Sequence, residues 1–72
     1  MHHDAISAEY EATEISKREG KPVAVVFHTQ VYRHVLMSPK AARVCVDAGT
    51  ALESQSVVCE GDYVFQLSDF TR

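Results

Sequence analysis

The chain has 72 residues, of which 46% are hydrophobic and 24% are charged, and its formal net charge is −3. This is the composition of an ordinary globular domain, and it excludes a disordered acidic tail, a collagen-like chain and a disulfide-dense mini-protein. A chain this short buries only roughly 60% of its unfolded surface, so its stability is marginal. We therefore predict a single small domain over residues 1–72.

Targeting and redox features indicate a cytoplasmic protein. The longest uncharged apolar run, Pro22–Phe27, is far shorter than the ~20 residues of a membrane span. The N-terminal Met1-His2-His3-Asp4 lacks the basic and apolar segments of a signal peptide. Two cysteines, Cys45 and Cys59, fit a reducing compartment, and we expect both to be buried free thiols. A disulfide between them stays open, because sequence does not supply the geometry that it requires.

The first two elements are predicted to be a helix and a central strand. Residues 4–19 favour a helix, since Asp4 can cap its N-terminus and Gly20 can take the left-handed position after its end. The run Val23–Phe27 is rich in β-branched residues and apolar on both faces, which is typical of a central strand. The helix carries a stripe of mostly small apolar side chains: Ala5, Ala8, Ala12 and Ile15.

The segment Thr29–Met37 has two interpretations. As a helix it places Val31 and Val35 four residues apart. As a strand it pairs back on the first one with Phe27 opposite Tyr32, and its β-branched and aromatic residues favour this interpretation. The strand would also place Tyr32, His34 and Leu36 on one face with Val23, Val25 and Phe27.

The second half repeats the order of helix and strand pair. Ser38-Pro39 is a helix-start signal, and we predict a helix over Lys40–Ala48 that ends at Gly49; a strand through Arg43–Val46 is the competing prediction. A polar loop over 50–55 is expected to follow. Two strands then flank a two-residue turn, Gly61-Asp62, which sets Val58 opposite Phe65 and Cys59 opposite Val64.

These elements predict an α+β fold with the order α-β-β-α-β-β, a small two-layer domain whose antiparallel sheet carries both helices on one face. We expect a core of Val25, Phe27, Val58 and Phe65. The other face would hold Val26, Val57 and Val64 without cover. This predicts a homodimer that uses the hairpin Val57–Leu67, with a monomer that binds a different protein as the alternative.

The sequence contains no motif that carries catalysis or holds a cofactor. His28, His34, Cys45 and Cys59 have the residue types of a zinc site, but their spacing does not match the close ligand pairs of structural zinc. Met1-His2-His3 can chelate Cu(II) or Ni(II) through nitrogen atoms, yet three residues are too weak a motif to carry a function. No catalytic motif surrounds either cysteine. We predict a protein that is not an enzyme and has no metal or cofactor.

Charge is distributed unevenly along the chain. Residues 1–19 sum to −3, residues 20–46 to +4 and residues 47–72 to −4. A basic middle segment favours an anionic partner. The alternative function is therefore a small nucleic-acid-associated regulator that binds through Lys21, Arg33, Lys40 and Arg43.

The first choice of function is a non-enzymatic protein-binding module that inhibits or modulates a larger cellular machine. Short chains without catalytic motifs are common among the accessory proteins of bacteriophages and other mobile elements, and such chains act by presenting a surface. The candidate partner-binding residues are Tyr10, Tyr32, Arg33 and Tyr63.

Overall fold

A computed structural model describes residues 4–70 of the chain. The N-terminal Met1-His2-His3 motif and residues 71–72 lie outside the described residues. The predicted α+β class and the predicted order of the elements are confirmed. The elements are α1 (Ala5–Glu19), β1 (Val23–His28), β2 (Arg33–Met37), α2 (Pro39–Asp47), β3 (Ala51–Glu60), β4 (Tyr63–Gln66) and a short 3₁₀ helix (Leu67–Asp69).

Both helices begin where their capping residues predict. The Asp4 carboxylate accepts a 2.9 Å hydrogen bond from the Ile6 N–H, and the Ser38 hydroxyl accepts one of 3.1 Å from the Ala41 N–H. These side chains satisfy backbone donors that the first helical turn leaves unpaired. Gly20 ends α1 with a φ of 67°, the left-handed conformation that glycine adopts without strain. The competing strand through Arg43–Val46 is wrong, because these residues belong to α2.

The four strands form one antiparallel sheet in the order β2-β1-β3-β4. The strand interpretation of the second segment is confirmed, but its register differs, since Phe27 lies opposite His34 and not opposite Tyr32. Tyr32 belongs to the turn, where its N–H donates to the His28 carbonyl at 2.8 Å and its φ is 53°. A register shift of two residues preserves the faces, so His34 and Leu36 share a face with Val25 as predicted.

The two helices lie on opposite faces of the sheet, so the predicted two-layer arrangement with both helices on one face is wrong. On one side, which we call the α1 face, Ala12 packs with Val25 and Cys59. On the other side, the α2 face, Ala42 packs with Val26. Consecutive residues of β1 point to opposite faces and both faces of β1 are apolar, so a helix on each side buries more surface than two helices on one side.

The position of the helices separates the two cysteines. Cys59 is buried on the α1 face and Cys45 is half-buried on the α2 face, and both are free thiols. A disulfide between them is therefore excluded, since the sheet lies between their side chains.

Strand β3 is longer than predicted. It begins at Ala51, so the expected loop over 50–55 is wrong. The pairing of β3 with β1 shifts between Val25 and Phe27, and the additional residues of β3 form a bulge there. The Ser56 hydroxyl donates a 2.6 Å hydrogen bond to the Leu52 carbonyl across this bulge. This bond satisfies the hydroxyl of Ser56, which is fully buried.

The C-terminal hairpin has the predicted register, with Val58 opposite Phe65 and Cys59 opposite Val64. Val25 and Val58 are buried as predicted, whereas Phe27 is half-buried. The prediction for Phe65 is wrong, because 37% of this residue is exposed. Its strand lies at the sheet edge, whereas both helices pack mainly on the other three strands. Between residues 4 and 70, no helix is long and apolar enough to cross a membrane.

Candidate functional site at the sheet edge

Strand β4 is the most exposed strand of the sheet although three of its side chains are large and hydrophobic. Tyr63 is 72% exposed and Val64 is 49% exposed, and all four residues of the strand fall in the exposed class. The strand contains no charged residue and no proline. Proteins usually protect an edge strand with charges, proline or a bulge, because an open edge can pair with another chain. β4 has none of these protections.

The side chains on the α2 face of β4 extend into an aromatic row, which we define as Tyr63, Phe65 and Phe70. The ring centroids of Tyr63 and Phe65 are 6.4 Å apart and stacked, and those of Phe65 and Phe70 are 6.1 Å apart and tilted. Phe70 is half-buried and packs against the core on this face. Aromatic side chains with this mixture of anchoring and exposure are enriched at protein interfaces.

The hairpin turn determines which backbone groups of β4 face outward. Gly61, the first residue of the turn, has a φ of 61°. The second residue, Asp62, has no positive φ, since Tyr32 is the one non-glycine residue within 4–70 that does. The turn therefore has the type II′ pattern. In a two-residue hairpin the flanking residues, here Glu60 and Tyr63, exchange backbone hydrogen bonds, and the pattern then alternates along the strand. The backbone groups of Val64 and Gln66 therefore point away from β3. We call these groups the β4 edge.

The end of α1 holds the turn that precedes β4. Ser16 is 3% exposed, and its hydroxyl accepts a 2.9 Å hydrogen bond from the Gly61 N–H. Next to it, the Lys17 ammonium lies 2.6 Å from the Asp62 carboxylate. The hydrogen bond to Asp62 and its negative charge raise the pKa of Lys17 above its ordinary value. These two contacts fix the start of β4 relative to the body of the domain, so the edge is presented by a preorganised hairpin.

An open cleft of about 460 Å³ lies between the end of α1 and this turn. A second open cleft, of about 360 Å³, lies at the start of α2, and Glu60 borders both clefts. Lys21 lines the first cleft and Lys40 lines the second. The charged side chains that line the first cleft are Lys17, Lys21, Glu60 and Asp62, and Lys17 and Asp62 already pair with each other.

The predicted partner-binding residues do not form one surface. Tyr63 begins β4 and belongs to the aromatic row. Tyr32 and Arg33 lie at the β1–β2 turn, which is at the other end of the sheet and at its other edge. Tyr10, 71% exposed, lies on the outer side of α1. Tyr63 is the member of the predicted set that joins the candidate site.

The four predicted nucleic-acid-binding cations do not all lie on one surface. Arg43 is engaged inside the domain, since its guanidinium lies 2.6 Å from the Glu53 carboxylate and donates to the Leu67 carbonyl at 3.3 Å. Arg33 lies opposite His28 at the end of β1. Lys21 precedes the start of this strand, roughly 17 Å from that end. A continuous basic surface is therefore not formed by these residues.

The histidines and cysteines of residues 4–70 do not assemble a metal centre. His28 and His34 point to opposite faces of the sheet, as the hairpin pairing predicts. No group of three or more histidine, cysteine, aspartate or glutamate side chains comes together in this part of the chain. The His34 ring lies 5.2 Å from the Phe27 ring, and its buried Nδ1 atom has no hydrogen-bond partner among residues 4–70.

No family model, curated protein or solved structure matches this chain. Function is therefore inferred from the geometry of the chain itself.

Sequence analysis missed most of the candidate site. The sequence predicts Phe65 in the core and does not single out Phe70 or Gln66 as binding residues. One signal could have identified part of the site: the run Tyr63–Gln66 is uncharged.

Proposed function

We propose that the protein is a non-enzymatic protein-binding module whose binding surface is the β4 edge together with the aromatic row. The observation that carries this proposal is the condition of β4: it is uncharged, exposed on both faces and, among residues 4–70, unpaired on one side. A strand from another protein can add to such an edge. The module would then inhibit or modulate its partner by occupying a strand or a surface that the partner needs.

Strand addition divides the work between backbone and side chains. The outward backbone groups of Val64 and Gln66 supply main-chain hydrogen bonds, which give affinity. Side chains on alternate residues give specificity. Tyr63 and Phe65 offer aromatic surface on the α2 face, and Val64 offers aliphatic surface on the α1 face.

The reactive side chains of the domain serve packing, which supports a role without catalysis. The Cys59 thiol lies under α1, where its sulfur is 3.8 Å from the Glu9 carbonyl oxygen and close to the Thr13 hydroxyl. Two free thiols also support the cytoplasm as the place of action. The nucleic-acid alternative has less support, because Arg43 is engaged with Glu53 and Leu67 within the domain.

Site-specific photo-crosslinking in cells that make the protein tests the proposal. p-Benzoylphenylalanine in place of Gln66 should give a covalent adduct with a protein partner, whereas the same group in place of Val44, which is 62% exposed on α2, should not. The adduct should disappear when Val64→Pro is added, since proline removes an outward N–H without breaking a bond to β3. Equal adducts at both positions, or no adduct at position 66, would overturn the proposal.

A further inference from the structure

We infer that the strand which adds to β4 is β4 of a second copy of this chain, paired antiparallel about a two-fold axis that passes through Phe65. The two four-stranded sheets then form one continuous sheet of eight strands. This inference rests on the proposed function, because it names the partner of the same edge.

The composition of β4 permits the strand to pair with itself. Residues directly opposite each other in an antiparallel pair come within about 5 Å, so like charges there destabilise the pair. Tyr63–Gln66 carries no charge, and a strand facing its own image meets no repulsion. The opposite edge of the sheet is less suitable, since β2 begins with Arg33 and its residues are half-buried. Pairing about a two-fold axis also closes the assembly at two copies.

The outward backbone groups select one register. A two-fold pair requires that one residue lie opposite itself, which leaves axes through Val64 or through Phe65. An axis through Val64 pairs that residue with its own image, and Gln66 then faces Asp62 of the second copy, which belongs to the turn and is held by Lys17. An axis through Phe65 places Val64 opposite Gln66 of the second copy. Both outward N–H groups of each chain can then donate to carbonyl groups of the other chain.

The same register joins the two aromatic rows. Phe65 and its image occupy a non-hydrogen-bonded pair, where the two Cα atoms are about 4.5 Å apart and the side chains are closest. Each Phe65 already contacts Tyr63 and Phe70 of its own chain. Six rings therefore meet around the axis on the α2 face, which explains why Phe65 keeps 37% of its surface exposed in the single chain. Aromatic cross-strand pairs are among the more favourable pairs in sheets.

Cysteine cross-linking tests the register. In a Cys45→Ala background, Phe65→Cys should form a disulfide-linked species at twice the 8.0 kDa chain mass under mild oxidation, because paired Cα atoms at this separation fit disulfide geometry. Val64→Cys in the same background should give at least tenfold less of that species, since residue 64 does not face its image. Efficient linking through position 64 and weak linking through position 65 would overturn the Phe65-centred axis. The Cys45→Ala chain without a new cysteine is the control for background oxidation.

The oligomeric state tests the dimer without a new thiol. Light scattering of the unmodified chain should show the mean mass rising from 8.0 kDa toward twice that value as concentration increases through the micromolar range, because a short edge contact gives a modest affinity. Val64→Pro should remain at the single-chain mass. Val64→Thr, which keeps the outward N–H and a β-branched side chain, should dimerise like the parent.

The possible failures can be told apart. A parent chain that stays at 8.0 kDa up to millimolar concentration overturns the dimer. A dimer that persists unchanged in Val64→Pro also overturns it, since the two copies would then meet elsewhere. In either case an adduct of position 66 with a different protein leaves the proposed function intact, whereas the absence of every adduct overturns both.

Discussion

The buried hydroxyl of Ser16 accepts a hydrogen bond of 2.9 Å from the Gly61 N–H, and this bond joins residues that are 45 positions apart. It connects the last turn of α1 to the turn before β4. Ser16→Ala should leave this N–H without its partner and lower the free energy of unfolding by about 1–3 kcal/mol. Urea denaturation measures the change. Ser54→Ala at an exposed position is the control and should stay within about 0.5 kcal/mol of the parent. Equal urea midpoints for the two variants would contradict this role of Ser16.

The Arg43–Glu53 ion pair should give a small but measurable coupling. The nitrogen and oxygen atoms are 2.6 Å apart, and the two side chains are 41% and 39% exposed, so water screens much of the attraction. A double-mutant cycle with alanine at both positions should yield about 0.2–1 kcal/mol, and the value should fall as salt is added. The more exposed Arg18–Glu19 pair, at 3.7 Å, is the matched control and should couple more weakly. A larger coupling for Arg18–Glu19 would contradict the prediction.

Alkaline pH should weaken the fold through Cys59. Burial is the main cause that raises the pKa of the Cys59 thiol above its ordinary value of 9.0. The unfolded chain therefore loses this proton first as pH rises. The contribution of Cys59 to stability is fully present below pH 9.0 and decreases as pH rises from there through the folded-state pKa.

Urea midpoints measured from neutral pH to about pH 10 test this pH dependence. Cys59→Ala should have a shallower alkaline slope than the parent, even though the loss of packing lowers its stability at every pH. Cys45→Ala should keep the parent slope. A slope that is unchanged in Cys59→Ala would assign the alkaline loss to other groups.

Tyr32 should show a backbone preference that its exposed ring does not explain. The residue is 74% exposed and has a φ of 53°, a conformation that asparagine tolerates and β-branched residues avoid. The Tyr32 ring lies 6.5 Å from the Phe27 ring, and both Tyr32→Asn and Tyr32→Val lose this contact. The difference between the stabilities of the two variants therefore measures the cost of the backbone conformation. We expect Tyr32→Asn to be more stable than Tyr32→Val by about 1 kcal/mol in thermal or urea unfolding. Equal stabilities would show that the turn relaxes at no cost.

Local signals in the sequence were sufficient for most of the elements. The caps Asp4 and Ser38 act on adjacent residues, so the starts of both helices were predictable. The Gly61-Asp62 turn fixed the register of β3 and β4 because a two-residue loop leaves one way to pair. The longer turn before Arg33 allowed several registers, and the predicted one was displaced by two residues.

Long-range features were not predictable from the sequence. The choice between one face and two faces for the helices depends on the crossing of each connection over the sheet, which no single residue encodes. The exposure of Phe65 follows from the position of β4 at the edge, and an aromatic residue in an alternating strand resembles a core residue until the strand order is known. The candidate site was missed for the same reason, since edge and centre differ in neighbours and not in composition.

The bulge in β3 sets a rule for how the length of this strand can vary. Val25 lies opposite Val57 and Phe27 opposite Leu52, so two steps along β1 match five steps along β3. The surplus is odd, and it inverts the alternation of side chains between the two halves of β3. Removing three residues between 53 and 56 would match the two strands step for step and keep Ala51 opposite His28, whereas removing one or two would leave a shorter bulge. This segment can therefore shorten by up to three residues without moving Ala51 out of the α2-face core.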